Sequence, residues 1–252
     1  MKACLTKKTR VTLLFLGLLM LPAARTMGAV IVFDRVTTVA TPVYLKVFTK
    51  GKIFADGGRL VELYLDDKRF AKNLTGGDGY GYRKYVPQRA GMIKIRATSQ
   101  GESGSGLLLV MKKSEKAVLV EIESGLKDAF ISDIAAGAGR QAVRQMLKKY
   151  RVIYLSRYSG IRVARISLDE MDFPEAPILR WQGEQTLKAL KENGVNLYAI
   201  IGPAGVISTA DGYIENRYTF DENQQEHTVK DWQELMKLLS KNAPQGSHKN
   251  KK

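Results

Sequence analysis

The pattern of apolar residues changes character once along this chain, at the charged stretch 112–116 (KKSEK), and a single-layer fold cannot satisfy both halves. Before it, short apolar runs alternate with polar residues: 43–49 (VYLKVFT), 60–65 (LVELYL), 81–86 (GYRKYV), 92–98 (MIKIRAT) and 107–111 (LLLVM). Glycine-rich clusters at 56–58, 76–79 and 101–106 separate them. Period-two alternation broken by such turns is the pattern of half-buried antiparallel strands. Residues 30–112 are therefore expected to form a small immunoglobulin-like β-sandwich. They lack the cysteine pair of antibody domains.

After the charged stretch the apolar runs become continuous and alternate with helical periodicity. The runs 117–122 (AVLVEI), 152–155 (VIYL) and 196–201 (NLYAII) suit strands buried on both faces. Val143, Met146, Leu147 and Tyr150 share one helical side, as do Val229, Trp232, Leu235, Met236 and Leu239. Strand-helix-strand order predicts a second, α/β domain over 117–240 with a parallel sheet. The polar, basic stretch 241–252 is expected to be a disordered tail.

The first 29 residues read as a cleaved signal peptide. Lys2, Lys7, Lys8 and Arg10 precede the apolar run 11–21, and small residues surround Ala23, Ala24, Gly28 and Ala29. That run would rise only about 16 Å as a helix, roughly half a bilayer core. The expectation is an exported protein, periplasmic or extracellular, with no transmembrane segment in the mature chain. Cys4, the sole cysteine, would leave with the leader. One cysteine and two histidines also exclude a disulfide scaffold and make a histidine-based metal site untenable.

The formal charge of +15 invites a nucleic-acid reading. The surplus, however, sits in the leader, the β-domain and the tail, whereas residues 117–240 hold 15 basic and 17 acidic residues. No nucleic-acid partner is expected, and any anion bound by the α/β domain must be held by local groups.

In open parallel sheets, ligands gather at the carboxyl ends of the strands. Glu121 and Glu123 close the first run, and strand alternation puts them on the same side, where they could converge on one metal ion or proton. Ser156 and Arg157 close the second, a hydroxyl and a cation that suit a phosphate. Gly202 opens the turn after the third. In that order, AVLVEIESGL, VIYLSR and AIIG resemble the motifs of the haloacid dehalogenase superfamily. VIYLSR, with the following FPEAPIL, is most similar to its lipin-type phosphatidate phosphatase branch. The resemblance implies a Rossmann-type α/β fold, a phosphate held by Ser156 and by a helix lysine (Lys188, or Lys191), and magnesium if the domain is active.

The departures from that family's pattern point away from catalysis. Glu121 stands where the family has its nucleophilic Asp, and Glu123 where it has its acid/base Asp. Gly125 replaces a Thr, and no carboxylate follows Gly202 until Asp211. The extra methylene of Glu121 displaces the attacking oxygen by roughly an ångström, enough to spoil an in-line attack. The expectation is a degenerate domain that binds a phospholipid, a phosphorylated molecule or an envelope protein, with Ser156, Arg157, Lys188 and Gly202 as ligand-binding residues and no metal or other cofactor. The alternatives are a magnesium-dependent phosphohydrolase using Glu121 and Glu123 as catalytic residues, and an envelope adaptor docking on anionic surfaces.

Overall fold

A computed structural model describes residues 29–125, 133–221 and 228–241. The leader and the tail expected from the sequence lie outside these residues, apart from Ala29 and Lys241. Among the described residues no helix is long and apolar enough to cross a membrane.

The N-terminal half is a two-sheet β-sandwich. One sheet has the order β1-β3-β6, from Ala29–Phe33, Val43–Lys50 and Tyr80–Tyr85. The other has the order β2-β8-β7-β4-β5, from Arg35–Thr38, Glu102–Met111, Gly91–Ser99, Leu60–Leu65 and Lys68–Leu74. The alternation seen in the sequence sets which faces turn inward. Val43, Leu45 and Val47 of β3 are buried, as are Val61 and Leu63 of β4 and Ile95 and Ala97 of β7. The sheets are antiparallel except that β2 runs parallel to β8, because the chain leaves the first sheet after β1 and joins the second as β2. Asp34 is the single residue at that crossing.

The C-terminal half is an α/β layer structure. Its five parallel strands are β9 (Lys116–Glu121), β10 (Arg151–Ser156), β11 (Ile178–Arg180), β12 (Asn196–Ile201) and β13 (Asn216–Tyr218). They lie in the order β11-β10-β9-β12-β13. Strands are added in one direction from β9 to β11 and in the other from β12 to β13, so the topological switch point falls between β9 and β12. The helices are α1 (Ile122–Gly125), α2 (Asp133–Met146), α3 (Ile161–Glu170), α4 (Glu184–Glu192), α5 (Ala204–Thr209) and α6 (Trp232–Lys241). Val118 and Val120 of β9 face a core shared with α2, α3 and α6, while Ala117 and Leu119 face α4 and α5. Two covered faces explain why these strands are continuously apolar.

The two halves share a core. Val36, Leu109 and Met111 of the sandwich belong to the same buried cluster as Leu187, Leu190 and Val195 of the α/β half. The charged stretch between the halves forms a turn rather than a free hinge. Lys112 N–H donates to Glu115 Oε2 at 2.8 Å, and Arg151 Nη2 reaches Glu115 Oε1 at 2.6 Å.

Two polar contacts complete the joint. The buried carboxylate of Asp34 accepts hydrogen bonds from Leu107 N at 2.8 Å and Ile178 N at 2.7 Å, and pairs with Arg165 of α3. Burial raises its pKa above the usual carboxylate value, an effect that Arg165 and the two N–H groups offset only in part. At the end of α4, Asn193 Nδ2 donates to Val36 O at 2.9 Å, and Asn193 O accepts from Thr38 N at 3.2 Å and Thr38 Oγ1 at 3.1 Å. Asn193 thereby covers the free edge of β2. Gly194 follows at φ 76°, and its N–H donates to Lys191 O while Val195 N–H donates to Leu190 O, a Schellman closure of the helix. A Cβ at Gly194 would lie 2.7 Å from Thr38 Oγ1.

Three outcomes are expected in urea unfolding followed by tryptophan fluorescence and far-UV circular dichroism. The wild-type transitions coincide, and Asp34→Ala lowers stability by about 3–5 kcal/mol by stranding Arg165 and two donors. Gly194→Ala costs more than Gly212→Ala, since Gly212 also has positive φ (71°) but a Cβ added there would meet no atom within 4 Å. Separate transitions for the two halves of the wild type would contradict the shared core.

Candidate functional site

The carboxyl ends of β9, β10 and β12 meet at the switch point. Glu121 is the last residue of β9 and is fully buried. Gly202 follows β12, where a Cβ would stand 3.1 Å from Glu121 Cβ and 3.1 Å from Val206 Cγ1. Glycine at this position lets the exit of β12 close over Glu121.

Glu121 and Glu123 do not share a side by strand alternation, as the sequence led us to expect. The strand stops at Glu121, and Ile122–Gly125 turn directly into α1. Beyond the strand end the two-residue repeat no longer applies, and Glu123 reaches across to the loop after β10.

There its carboxylate is held by the loop 156–159. Glu123 Oε1 accepts from Arg157 N at 3.1 Å, Tyr158 N at 3.2 Å and Ser159 N at 3.0 Å, and Oε2 lies 3.0 Å from Arg157 N. Ser156 Oγ stands 2.8 Å from both Glu123 Oε1 and Ser159 O, so its one proton serves either acceptor in turn. Successive backbone N–H groups converging on one point form an oxyanion cradle. Burial pushes the Glu123 pKa up, but the N–H groups of Arg157, Ser159 and Tyr158 and the Ser156 hydroxyl outweigh it and hold the pKa at about 2. The anion in this cradle is the protein's own.

The other residues singled out in the sequence fall in two places. Ser156 and Arg157 belong to the cradle, Arg157 through its backbone N–H, while its guanidinium lies over the Tyr158 ring at 4.6 Å. Lys188 is on the exposed side of α4, where its Nζ meets Glu184 Oε2 at 2.9 Å. Lys191 Nζ lies over the Tyr213 ring at 4.7 Å. Asp211 pairs with Arg217 at the surface.

Magnesium, which the family resemblance implies for an active domain, does not fit the residues present. Among the described residues no three His, Cys, Asp or Glu side chains group to hold a metal ion. The oxygens of Glu123 already face N–H donors, an arrangement that repels a cation, whereas magnesium requires near-octahedral oxygen ligation.

A second concavity lies where the two halves meet, and no pattern in the sequence pointed to it. It measures about 200 Å³ and is lined by the β1–β2 crossing, by Ile178–Arg180 and by the face of α4 that carries Gln185, Thr186 and Ala189. Its basic residues, Arg35, Lys46 and Arg180, are too far apart in the chain to form a motif.

No family model matches the chain, and no curated protein matches it. Among solved structures, the chain is similar to the IG27 protein domain at 10% identity, with 36% of this chain and 99% of that one covered and a TM-score of 0.29. A polysaccharide lyase is 10% identical over 34% of this chain, with a TM-score of 0.27, and the chain spans 12% of its length. A carbohydrate acetylesterase from Xanthomonas citri is 8% identical, with 73% of this chain and 66% of that one covered and a TM-score of 0.31. Likeness at this level carries no activity over to the present chain.

The Glu123 cradle has a pH signature. Because its folded pKa lies below the ordinary value of 4.5, Glu123 contributes stability above about pH 4.5 and loses it as the pH falls toward 2. With the carboxylate partly exposed, that contribution is on the order of 1 kcal/mol. Glu123→Gln is expected to be less stable than wild type at pH 7 and to converge on it near pH 2, as read by thermal melting across the range. A constant difference across that range would contradict the cradle.

Proposed function

We propose that this is an exported two-domain binding protein whose α/β domain keeps a haloacid dehalogenase-like frame but has no phosphatase activity. The observation that carries this reading is the Glu123 carboxylate in the cradle of Ser156 and the N–H groups of Arg157, Tyr158 and Ser159. In the family that the sequence resembles, a serine or threonine at the end of the second strand holds the substrate phosphate. A carboxylate in that place excludes a phosphate by both occupancy and charge.

The rest of the constellation supports the same reading. Glu121 is buried beneath Gly202, and the surface pair Asp211–Arg217 leaves the carboxylate after β12 engaged. Attack by Glu121 would need an open path to a phosphorus atom held by Ser156, and Glu123 lies on Ser156. Export rests on the N-terminal cationic and apolar pattern, and the proposed ligand is a phosphorylated molecule, a phospholipid headgroup among them.

The purified mature protein, assayed with p-nitrophenyl phosphate and with phosphatidate in millimolar magnesium, is expected to release no phosphate above the buffer blank. Turnover that disappears in Glu121→Gln would overturn the proposal and restore the phosphohydrolase reading.

A further inference from the structure

We propose that the cleft between the two halves, lined by Arg35, Lys46 and Arg180, is the anion-binding site of this protein and takes a phosphate monoester. The inference rests on the binding reading above and moves the ligand from the strand ends to the domain junction.

The charge balance of the cleft points to an anion. Among its described lining residues Asp34 is the one carboxylate, and Arg165, Leu107 N and Ile178 N already hold it. Three cations remain. Arg35 donates through Nε to Tyr44 O at 3.0 Å, and its two Nη groups make no hydrogen bond with described residues. Burial pulls the Arg35 pKa below its usual value, the mark of a guanidinium partly withdrawn from water, while Tyr82 and the neighbouring Asp34 carboxylate act in the opposite direction. Lys46 Nζ rests over the rings of Tyr80, Phe33 and Tyr82 at 4.2, 4.8 and 5.7 Å, with no carboxylate partner among the described residues. Arg180, exposed at the end of the edge strand β11, makes no side-chain hydrogen bond or ion pair with described residues.

Cations held near one another in a partly enclosed space repel unless an anion joins them. A phosphate monoester carries close to two negative charges at neutral pH and accepts several hydrogen bonds, which matches three cations better than a single carboxylate does. The space sets the size of the ligand. At about 200 Å³ the cleft is smaller than the pockets of about 300 Å³ and upward that enclose drug-sized molecules. The polar side chains of Gln182 and Gln185 offer donors and acceptors for the alcohol portion, and Phe33 and Ile161 an apolar wall.

The site lies between two elements that the Asp34 and Asn193 contacts hold in place. Arg35, held through Tyr44 O, and Lys46, seated on three rings, lose little freedom when an anion enters, which favours binding by a small ligand.

The test is calorimetric titration of the mature protein with glycerol 3-phosphate in low-salt buffer, alongside Arg180→Gln, Arg35→Gln and Ser156→Ala. Wild type is expected to bind saturably and more weakly as salt rises. Each arginine substitution is expected to weaken binding about tenfold, in line with loss of a charged hydrogen bond, with Ser156→Ala unchanged. Arg180 has no side-chain partner among the described residues, so its variant keeps the test valid if Arg35→Gln melts early. Absence of saturable binding, or binding that survives Arg180→Gln and fails in Ser156→Ala, would overturn the proposal. Sedimentation with vesicles containing phosphatidate, lost in Arg180→Gln, would identify a lipid headgroup as the ligand. Titration without sedimentation would identify a soluble one. Phosphate release in the magnesium assay would defeat the non-catalytic reading and leave the cleft site standing, so the two failures are distinguishable.

Discussion

Asp34 is the point at which the architecture is decided. It stands where the chain passes from one sheet of the sandwich to the other, and its buried carboxylate joins β8, β11 and α3. A charge removed from water is costly unless geometry supplies partners from every side, so the ion pair adds less to stability than to placement. The same docking of the α/β half satisfies Asp34 and lets Asn193 cover the edge of β2. Leu109 and Met111 then enter a core with Leu187 and Leu190. The cleft lined by Arg35 and Arg180 exists because these contacts hold β11 and α4 against the β1–β2 crossing.

A second carboxylate, Glu123, meets the same requirement at the other end of the sheet with opposite consequences for function. There the partners are backbone N–H groups and a hydroxyl that in an open cradle would serve a ligand. Filling the cradle from within stabilises the loop after β10 and leaves these N–H groups committed to the protein's own carboxylate. On the proposed reading, anion recognition is separated from the strand ends. The α/β half carries slightly more acidic than basic residues, while the cleft draws two of its three cations from the sandwich.

Much of the frame was legible in the sequence because burial leaves a periodic trace. LVELYL alternates and NLYAII is apolar after its first residue, and both strands have the bounds the sequence indicated. The edge elements left no such trace. β5, KRFAKNL, has Phe70 and Leu74 on the exposed side, and β11 and β13 are three residues each, too short for periodicity. In α3 a narrow stripe of Ala164 and Leu168 is hidden among charged residues. Ser156 could be found because a strand end marks it, but its role could not, since three of its companions are backbone N–H groups that any residue supplies. The turn of α1 immediately after Glu121 reversed the expected placement of Glu123. Arg35, Lys46 and Arg180 meet only through tertiary docking.

One measurement tests the proposed anion site at the domain junction against the strand ends. Amide chemical shifts of the ¹⁵N-labelled wild-type protein, followed as glycerol 3-phosphate is added, separate the two places within one sample. Saturable shifts are expected at Arg35, Arg180 and Gln185, with the amides of Arg157, Tyr158 and Ser159 unmoved because Glu123 keeps them. Shifts at 157–159 with a silent cleft would place the ligand at the strand ends and contradict the junction site.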